Sequence, residues 1–188
     1  MNYKQSSVKG VDIILGIDPG IADTGYGIIK KDKQGKLTCL DYGSIKTKAK
    51  TDLADRLSII NKELNKLIKK YKPKQVAVEQ IFFAKNVKTA LTVGHARGVI
   101  LLTIKQNNLE AVEFTPLQIK QAVSTYGRAS KMQVQKMVKL LLGLKEIPRP
   151  DDAADALAAA ICAANTNNKI NTKFENRNPK QIRNPKFK

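Results

Sequence analysis

The hydrophobic positions of the chain alternate between strand-like and helical spacing. Residues 12–18 form a short apolar run that ends in Asp-Pro-Gly, which predicts a strand buried on both faces. Residues 24–30 and 37–45 predict two further strands, because apolar and β-branched residues there are bounded by turn residues. Two shorter apolar runs, at 75–79 and 111–114, predict a fourth and a fifth strand.

The segments between and after these strands have the spacing of helices. Between residues 53 and 67, leucine and isoleucine recur every three or four positions, and Thr51 is the expected N-cap. Residues 86–106 predict a second helix, and Ser130 opens a third through a capping box. An alanine-rich helix is expected over residues 152–164. The order of elements predicts an α/β fold with a mixed five-stranded sheet flanked by helices.

Length and composition divide the chain into one domain and two ends. A chain of 188 residues is long enough for one domain with a normal core and leaves little room for a second. We expect an N-terminal extension over residues 1–11 and the domain over residues 12–165. Residues 166–188 are rich in Asn, Lys and Pro, which predicts a basic, disordered tail.

The charge balance points to an acidic partner. The chain has 34 Lys and Arg against 16 Asp and Glu, a formal net charge of +18. Such an excess favours nucleic acid as the partner, with an anionic membrane surface as the alternative. The two cysteines are too few for a disulfide framework, and the first eleven residues carry no apolar signal segment. We therefore expect a cytoplasmic protein that does not enter the membrane.

In so basic a chain, the positions of the acids are informative. Asp18 ends the first predicted strand, Glu79 ends the fourth, and Asp152 and Asp155 share one face of the last helix. Three of these acids have an ordinary alternative: Asp18 suits a turn, Glu79 an exposed strand end, and Asp152, like its neighbour Asp151, a helix cap. Crowded carboxylates would have raised pKa values unless a cation neutralised them. Together they predict a Mg²⁺ site in which two ions hold an attacking water and a leaving 3′-oxygen.

A set of motifs in this sequence resembles the RuvC family of Holliday junction resolvases. They occur in the family's order and extend from residue 12 to about residue 165. They are LGIDPG at 15–20, TGYG at 24–27, VEQIFFAKN at 78–86, the ARG of GHARG at 94–98, KQAV at 120–123, SKMQVQKMV at 130–138 and DDAADALAAAI at 151–161.

The resemblance implies a ribonuclease-H-like fold and a crossover junction endodeoxyribonuclease that leaves 5′-phosphate ends. It implies two Mg²⁺ ions per active site, for which Mn²⁺ is expected to substitute. The acids that it assigns to catalysis and metal binding are Asp18, Glu79, Asp152 and Asp155. Asp151 is then an extra acid, expected to cap the helix. The family's lysines near the scissile phosphate fall on Lys120 and Lys131, of which Lys131 is also expected to be catalytic.

The resemblance also implies partners and DNA contacts. The expected substrate is four-way junction DNA, bound by a homodimer that the RuvA and RuvB branch-migration complex delivers. Phe82 is expected to lie next to the DNA, with burial in the core as the alternative. Gly94 and Gly98 allow close helix packing, either within the chain or between two copies. The remaining expected phosphate contacts, which rest on sequence proximity alone, are Lys85, Lys88 and Arg97.

Three other functions compete with this interpretation. An acidic strand end followed by Gly and Thr-Gly also occurs in actin-like ATPases, but those proteins need a duplicated domain. A DNA-binding module without catalysis would explain the net charge but would leave the four acids unexplained, because acids repel DNA unless a cation intervenes. A sister group of small RuvC-like proteins that act on RNA shares the acidic core.

Overall fold

A five-stranded sheet forms the centre of the protein in a computed structural model that describes residues 11–80 and 87–166. Its strands are β1 (Asp12–Asp18), β2 (Asp23–Lys31), β3 (Leu37–Lys46), β4 (Gln75–Glu79) and β5 (Ala111–Phe114). They lie in the order β3-β2-β1-β4-β5, antiparallel between β1, β2 and β3 and parallel between β1, β4 and β5. The predicted mixed five-stranded sheet is confirmed.

Helices cover both faces of this sheet. They are α1 (Leu53–Tyr71), α2 (Val87–Gln106), α3 (Pro116–Ser124), α4 (Lys131–Leu141) and α5 (Asp151–Asn165). The first two pack on each other and on one face of the sheet, while α5 crosses β1 and β2 on the other face. Because α3 and α4 cover α5 in turn, α5 is buried along most of its length.

The alternation of side chains along β1 decides which residues face α5. Leu15 and Ile17 point into the core with α1 and α2, whereas Ile14 belongs to the core around α5. Successive side chains of a strand point to opposite faces, so Gly16 and Asp18 share the face of Ile14. The last residue of β1 therefore presents its carboxylate toward α5.

Glycines in the first two strands let α5 lie very close to the sheet. A Cβ atom added at Gly16 would lie 2.0 Å from the backbone oxygen of Ala156, and one at Gly25 would lie 2.0 Å from that of Asp152. Carbon atoms cannot approach an oxygen so closely, so any side chain at these positions would displace the helix. The alanines of α5 complete the fit, since a larger residue would hold the helix away.

Two details at helix starts differ from the prediction. The N-cap of α1 is Asp52 rather than Thr51, because the Asp52 side chain accepts a hydrogen bond from the backbone N–H of Ala54. Helix α3 was not predicted, although Thr115 and Gln118 form the same type of capping box that Ser130 forms with Gln133. A nine-residue helix is too short for a clear apolar period, so its cap was the only strong signal.

Helix length and apolar character in residues 11–80 and 87–166 bear on whether the chain could cross a membrane. In this part of the chain, no helix combines the length and the apolar character needed to cross a membrane.

Candidate active site

Asp18 and Glu79 lie side by side at the ends of two parallel strands. Ile17 of β1 is opposite Val78 of β4, so the residues that follow them end their strands at the same edge of the sheet. Val78 belongs to the core with α1 and α2, and Ala77 belongs to the core with α5. By the same alternation, Glu79 points toward α5, as Asp18 does.

The first two turns of α5 bring two more carboxylates to this edge. Asp152 lies directly over Gly25, and Gly25 is the β2 partner of Asp18. Asp155 follows three residues later, on the same face of the helix. The structure thus brings together the four acids that the sequence singled out, from two strands and one helix.

The pKa values show that these carboxylates interact. Burial, together with the charges of Glu79, Asp155 and Asp152, raises the pKa of Asp18 to about 8, against the lowering effect of Lys131. Burial and the charge of Asp155 raise the pKa of Glu79 to about 7. The pKa of Asp155 is also raised, chiefly by burial. Ionising the whole group at neutral pH is unfavourable unless positive charge is supplied.

Two lysines supply part of that positive charge. The Lys131 ammonium, on the first residue of α4, lies 3.0 Å from Oδ2 of Asp155. Lys120 of α3 is near enough for its charge to lower the pKa of Glu79, as Lys131 does. Both lysines that the sequence placed near a scissile phosphate therefore lie beside the acids.

Asp151 does not cap α5, so that expectation is wrong. The N-cap residue is Pro150, and Asp151 is the first residue of the helix. Its carboxylate instead forms ion pairs with Arg149, at 2.5 Å, and with Lys131, at 3.5 Å. The pair with Lys131 could not be predicted, because that lysine lies twenty positions away and on another helix.

The remaining expected DNA contacts are not part of this cluster or cannot be placed. Arg97 lies on α2, in the opposite helix layer, and its guanidinium donates a hydrogen bond to Glu113 of β5. Lys88 belongs to α2, but its side chain is outside the described residues. Phe82 and Lys85 lie in the gap between residues 80 and 87, also outside the described residues. These four contacts stay predictions.

The cluster fits a hard cation by its chemistry. All its donors are carboxylate oxygens, which Mg²⁺ prefers, and burial raises the pKa values of Asp18 and Glu79, so a bound cation would favour their ionised forms. Within the described residues, the structure contains no group of three or more Asp, Glu, His or Cys side chains arranged to hold a metal ion. Mg²⁺ does not require one, since it is usually held by one or two carboxylates together with water and phosphate oxygens. The open arrangement suits cations whose shell a nucleic acid completes.

Gly25→Ala tests whether the close approach of α5 builds the site. The added methyl group would overlap the backbone oxygen of Asp152, so the start of α5 must move away from Asp18. We expect thermal unfolding to show a loss of about 1–3 kcal/mol and nuclease activity to fall well beyond the loss of folded protein. Thr38→Ala, at an exposed position of β3, is the control. Normal activity and stability of Gly25→Ala would contradict this account.

Known proteins match this chain in sequence and in fold. The family described as "Crossover junction endodeoxyribonuclease RuvC" matches residues 14–163. A relative with that name from Halothermothrix orenii is 58% identical over 155 residues, which cover 82% of this chain and 93% of the relative. The Thermus thermophilus RuvC structure superposes with a TM-score of 0.76 at 35% identity, covering 81% of this chain and 93% of that one.

A second solved structure shows T. thermophilus RuvC in complex with a Holliday junction substrate. It matches with a TM-score of 0.74 at 33% identity and covers 81% of this chain and 92% of that one. The ribonuclease-H-like fold expected from the sequence is confirmed. The match spans nearly the whole described region, which removes the actin-like ATPase alternative. The chain belongs to the RuvC family of crossover junction endodeoxyribonucleases.

Proposed function

We propose that this chain is a metal-dependent endonuclease that resolves four-way DNA junctions by two symmetric incisions. The observation that carries the proposal is the meeting of four carboxylates and two lysines at one edge of the sheet in a chain of net charge +18. A basic surface attracts the DNA, while an acidic cluster within it repels phosphate unless cations are bound there. That combination is typical of phosphodiester hydrolysis.

In this proposal, Asp18, Glu79, Asp152 and Asp155 hold two Mg²⁺ ions, and Mn²⁺ can replace them. The bound ions would supply an activated water and charge stabilisation for the leaving 3′-oxygen. Asp18 and Glu79, fixed at the ends of adjacent strands, are oriented by the backbone rather than by flexible loops. Cleavage of the bond to the 3′-oxygen leaves a 5′-phosphate that a ligase can seal.

Lys131 and Lys120 would bind the scissile phosphate. Lys131 is the first residue of α4, where its ammonium and the free backbone N–H groups of the helix both favour an anion. Lys120 approaches from α3, on the side of Glu79. Held from two directions, the phosphate would be presented to the carboxylate cluster in one orientation.

DNA contacts away from the cleaved bond are proposed for Phe82, Lys85, Lys88 and Arg97. Phe82 follows Glu79 closely in sequence, so an exposed ring there could stack on an unpaired base near the junction centre. Arg97 is partly exposed and already paired with Glu113, so it would have to exchange that partner for a phosphate. Any such contribution from Arg97 would be smaller than that of an unpaired arginine.

A second copy of the chain is the partner proposed for α2. Leu91 and Leu102 are 63% and 56% exposed, and both lie on the stripe of α2 that contains Gly98. A Cβ atom added at Gly94 or Gly98 would meet no atom within 4 Å, so these glycines serve no packing within the described chain. Small residues flanked by exposed leucines permit two helices to approach closely. A homodimer would carry two identical active sites.

The proposed delivery of the enzyme and the proposed compartment are those that the RuvC family implies. We propose that RuvA and RuvB deliver the enzyme to junctions and that the reaction takes place in the cytoplasm. Cys39 and Cys162 are unpaired, which fits a reducing compartment.

A cleavage assay on matched substrates tests the proposed function. A synthetic four-way junction, the corresponding linear duplex and an RNA strand are incubated with the protein in Mg²⁺, Mn²⁺ or EDTA. We expect paired nicks in the junction with either metal ion and no cleavage in EDTA. Equal cleavage of linear duplex would contradict junction selectivity, and preferential cleavage of RNA would favour the RNA-directed alternative.

A further inference from the structure

Lys131 pairs with two carboxylates, only one of which is a proposed metal ligand. Its ammonium lies 3.0 Å from Oδ2 of Asp155 and 3.5 Å from Oδ2 of Asp151. Asp155 belongs to the proposed metal-binding set, whereas Asp151 does not. The lysine thus bridges a carboxylate inside the active site and one at its border.

The two carboxylates differ in exposure and in their other partners. The Asp155 side chain is 27% exposed and the Asp151 side chain 42% exposed, so Asp151 is the outer of the two. The other oxygen of Asp151, Oδ1, accepts a hydrogen bond from Arg149 at 2.5 Å. The buried side chain of Gln135, on α4, lies near Asp151. Asp151 is therefore held in place without help from Lys131.

An ammonium ion and a divalent cation compete for the same carboxylate oxygens. While Lys131 rests on Asp155, its positive charge opposes a cation there, because like charges at about 4 Å repel. Lys131 must release Asp155 before that carboxylate can bind a metal ion. Without another acceptor, the ammonium would either stay and compete or turn away from the site.

We propose that Asp151 is a positioning residue that takes over Lys131 when Asp155 binds a divalent cation. The two acids are four residues apart on α5, so they present their carboxylates on one face, one helical turn apart. A small rotation of the lysine side chain suffices for the transfer. Lys131 then stays at the outer border of the site, where the phosphate arrives. This inference rests on the proposed metal-dependent function.

Calorimetric titration of the full-length, DNA-free protein with Mn²⁺ tests the transfer without measuring cleavage. In Asp151→Asn, Lys131 has only Asp155 as a carboxylate partner, so we expect Mn²⁺ to bind about two- to fivefold more weakly than in the wild type. Lys131→Met removes the competing ammonium and should bind Mn²⁺ more tightly than the wild type. Adding Asp151→Asn to Lys131→Met should then change the affinity little.

The effect of Asp151→Asn is compared in the wild-type protein and in the Lys131→Met variant. This comparison distinguishes a positioning role of Asp151 from a simple effect of its charge. If Asp151 acted only through its own negative charge, Asp151→Asn would weaken Mn²⁺ binding equally with and without Lys131. That result would overturn the proposal, as would unchanged affinity in Asp151→Asn. Asp151→Glu keeps the charge and the reach to Lys131, and it should restore at least part of the affinity.

Two controls test whether the change in Mn²⁺ affinity is specific to Asp151 and whether each variant is folded. Asp12→Asn removes another exposed carboxylate that pairs with a lysine, Lys74, at the far end of β1, and it should leave Mn²⁺ affinity unchanged. Thermal unfolding of each variant confirms that it is folded. If the wild type bound no Mn²⁺ at all, the proposed metal-dependent function would fail, whereas normal binding with no effect of Asp151 would overturn this inference alone.

Discussion

Asp18→Asn is expected to abolish junction cleavage while junction binding survives and the metal-free protein becomes more stable. The amide fills the same space as the carboxylate but cannot hold a divalent cation as a charged ligand. Removing a negative charge from the DNA-facing cluster should strengthen binding to a polyanion. The loss of activity comes from the lost metal ligand, whereas the gain in stability comes from removing a carboxylate that is buried and lies close to other carboxylates.

The gain in stability should depend on pH in a defined direction. The pKa of Asp18 is about 8 in the folded protein, against 3.8 for an unperturbed aspartate. Between these values the folded protein keeps a proton that the unfolded chain has released, so stability falls as pH rises through that window. Asn does not ionise, so this loss of stability is absent in the variant. Near neutral pH, we expect the variant to gain about 1–4 kcal/mol in free energy of unfolding.

Thermal unfolding between about pH 5 and pH 8, with and without Mg²⁺, measures both effects. The difference between variant and wild type should widen as pH rises. Mg²⁺ should stabilise the wild type, because a ligand that binds only the folded state stabilises it, and should have little effect on the variant. Asp12→Asn is the control for removing a surface carboxylate.

Glu79→Gln and Asp155→Asn should abolish cleavage in the same way, since each removes an oxygen ligand of the proposed cation pair. Near-wild-type cleavage by variants at two of these three positions would show that the acids have been assigned wrongly. A stability of Asp18→Asn below that of the wild type at every pH would contradict the account of its pKa.

The acidic cluster could be predicted because strand periodicity is a local property. Asp18 and Glu79 each end an apolar run, and parallel neighbouring strands end at the same edge of a sheet. The face that each strand end presents was not predicted; it became clear only in the structure, from the buried residues that precede it. The spacing of Asp152 and Asp155 likewise needed only the helical period.

The rest of the site depends on contacts between distant parts of the chain. Nothing near Gly25 in sequence indicates that its missing side chain admits the backbone of Asp152. The sequence contains glycines at positions 25 and 27 of β2 and many alanines in α5. Only the packing of α5 on the sheet explains why these small residues occur together. Asp151 was misassigned for the same reason, because a cap is a local interaction and Lys131 is a tertiary one.

Mixing wild-type chains with an excess of Asp18→Asn chains should convert paired incision into single nicking. One acidic cluster can cut one strand, and separating the arms of a four-way junction requires two cuts. If two copies associate through α2, most active chains in the mixture will have an inactive partner. Such a heterodimer carries one competent site and should leave the junction joined.

A supercoiled plasmid that extrudes a cruciform distinguishes the two outcomes. Paired incision across the cruciform gives a linear product, whereas one incision gives a relaxed, nicked circle. The wild type alone should yield linear plasmid, and the mixture should accumulate nicked circles as the proportion of Asp18→Asn rises. Asp12→Asn chains, added in the same excess, should continue to give linear plasmid, because Asp12 lies at the opposite end of β1 from Asp18.

The result depends on dimerisation and not only on the loss of active chains. If the protein cut as independent monomers, inactive chains would slow the reaction by competing for junctions, but nicked circles would not persist while active chains remained. Linear product at an unchanged ratio to nicked circles throughout the titration would therefore contradict the homodimer. Accumulation of nicked circles together with a dimeric mass on the junction would support it, since each active site then acts once and its inactive partner blocks the second cut.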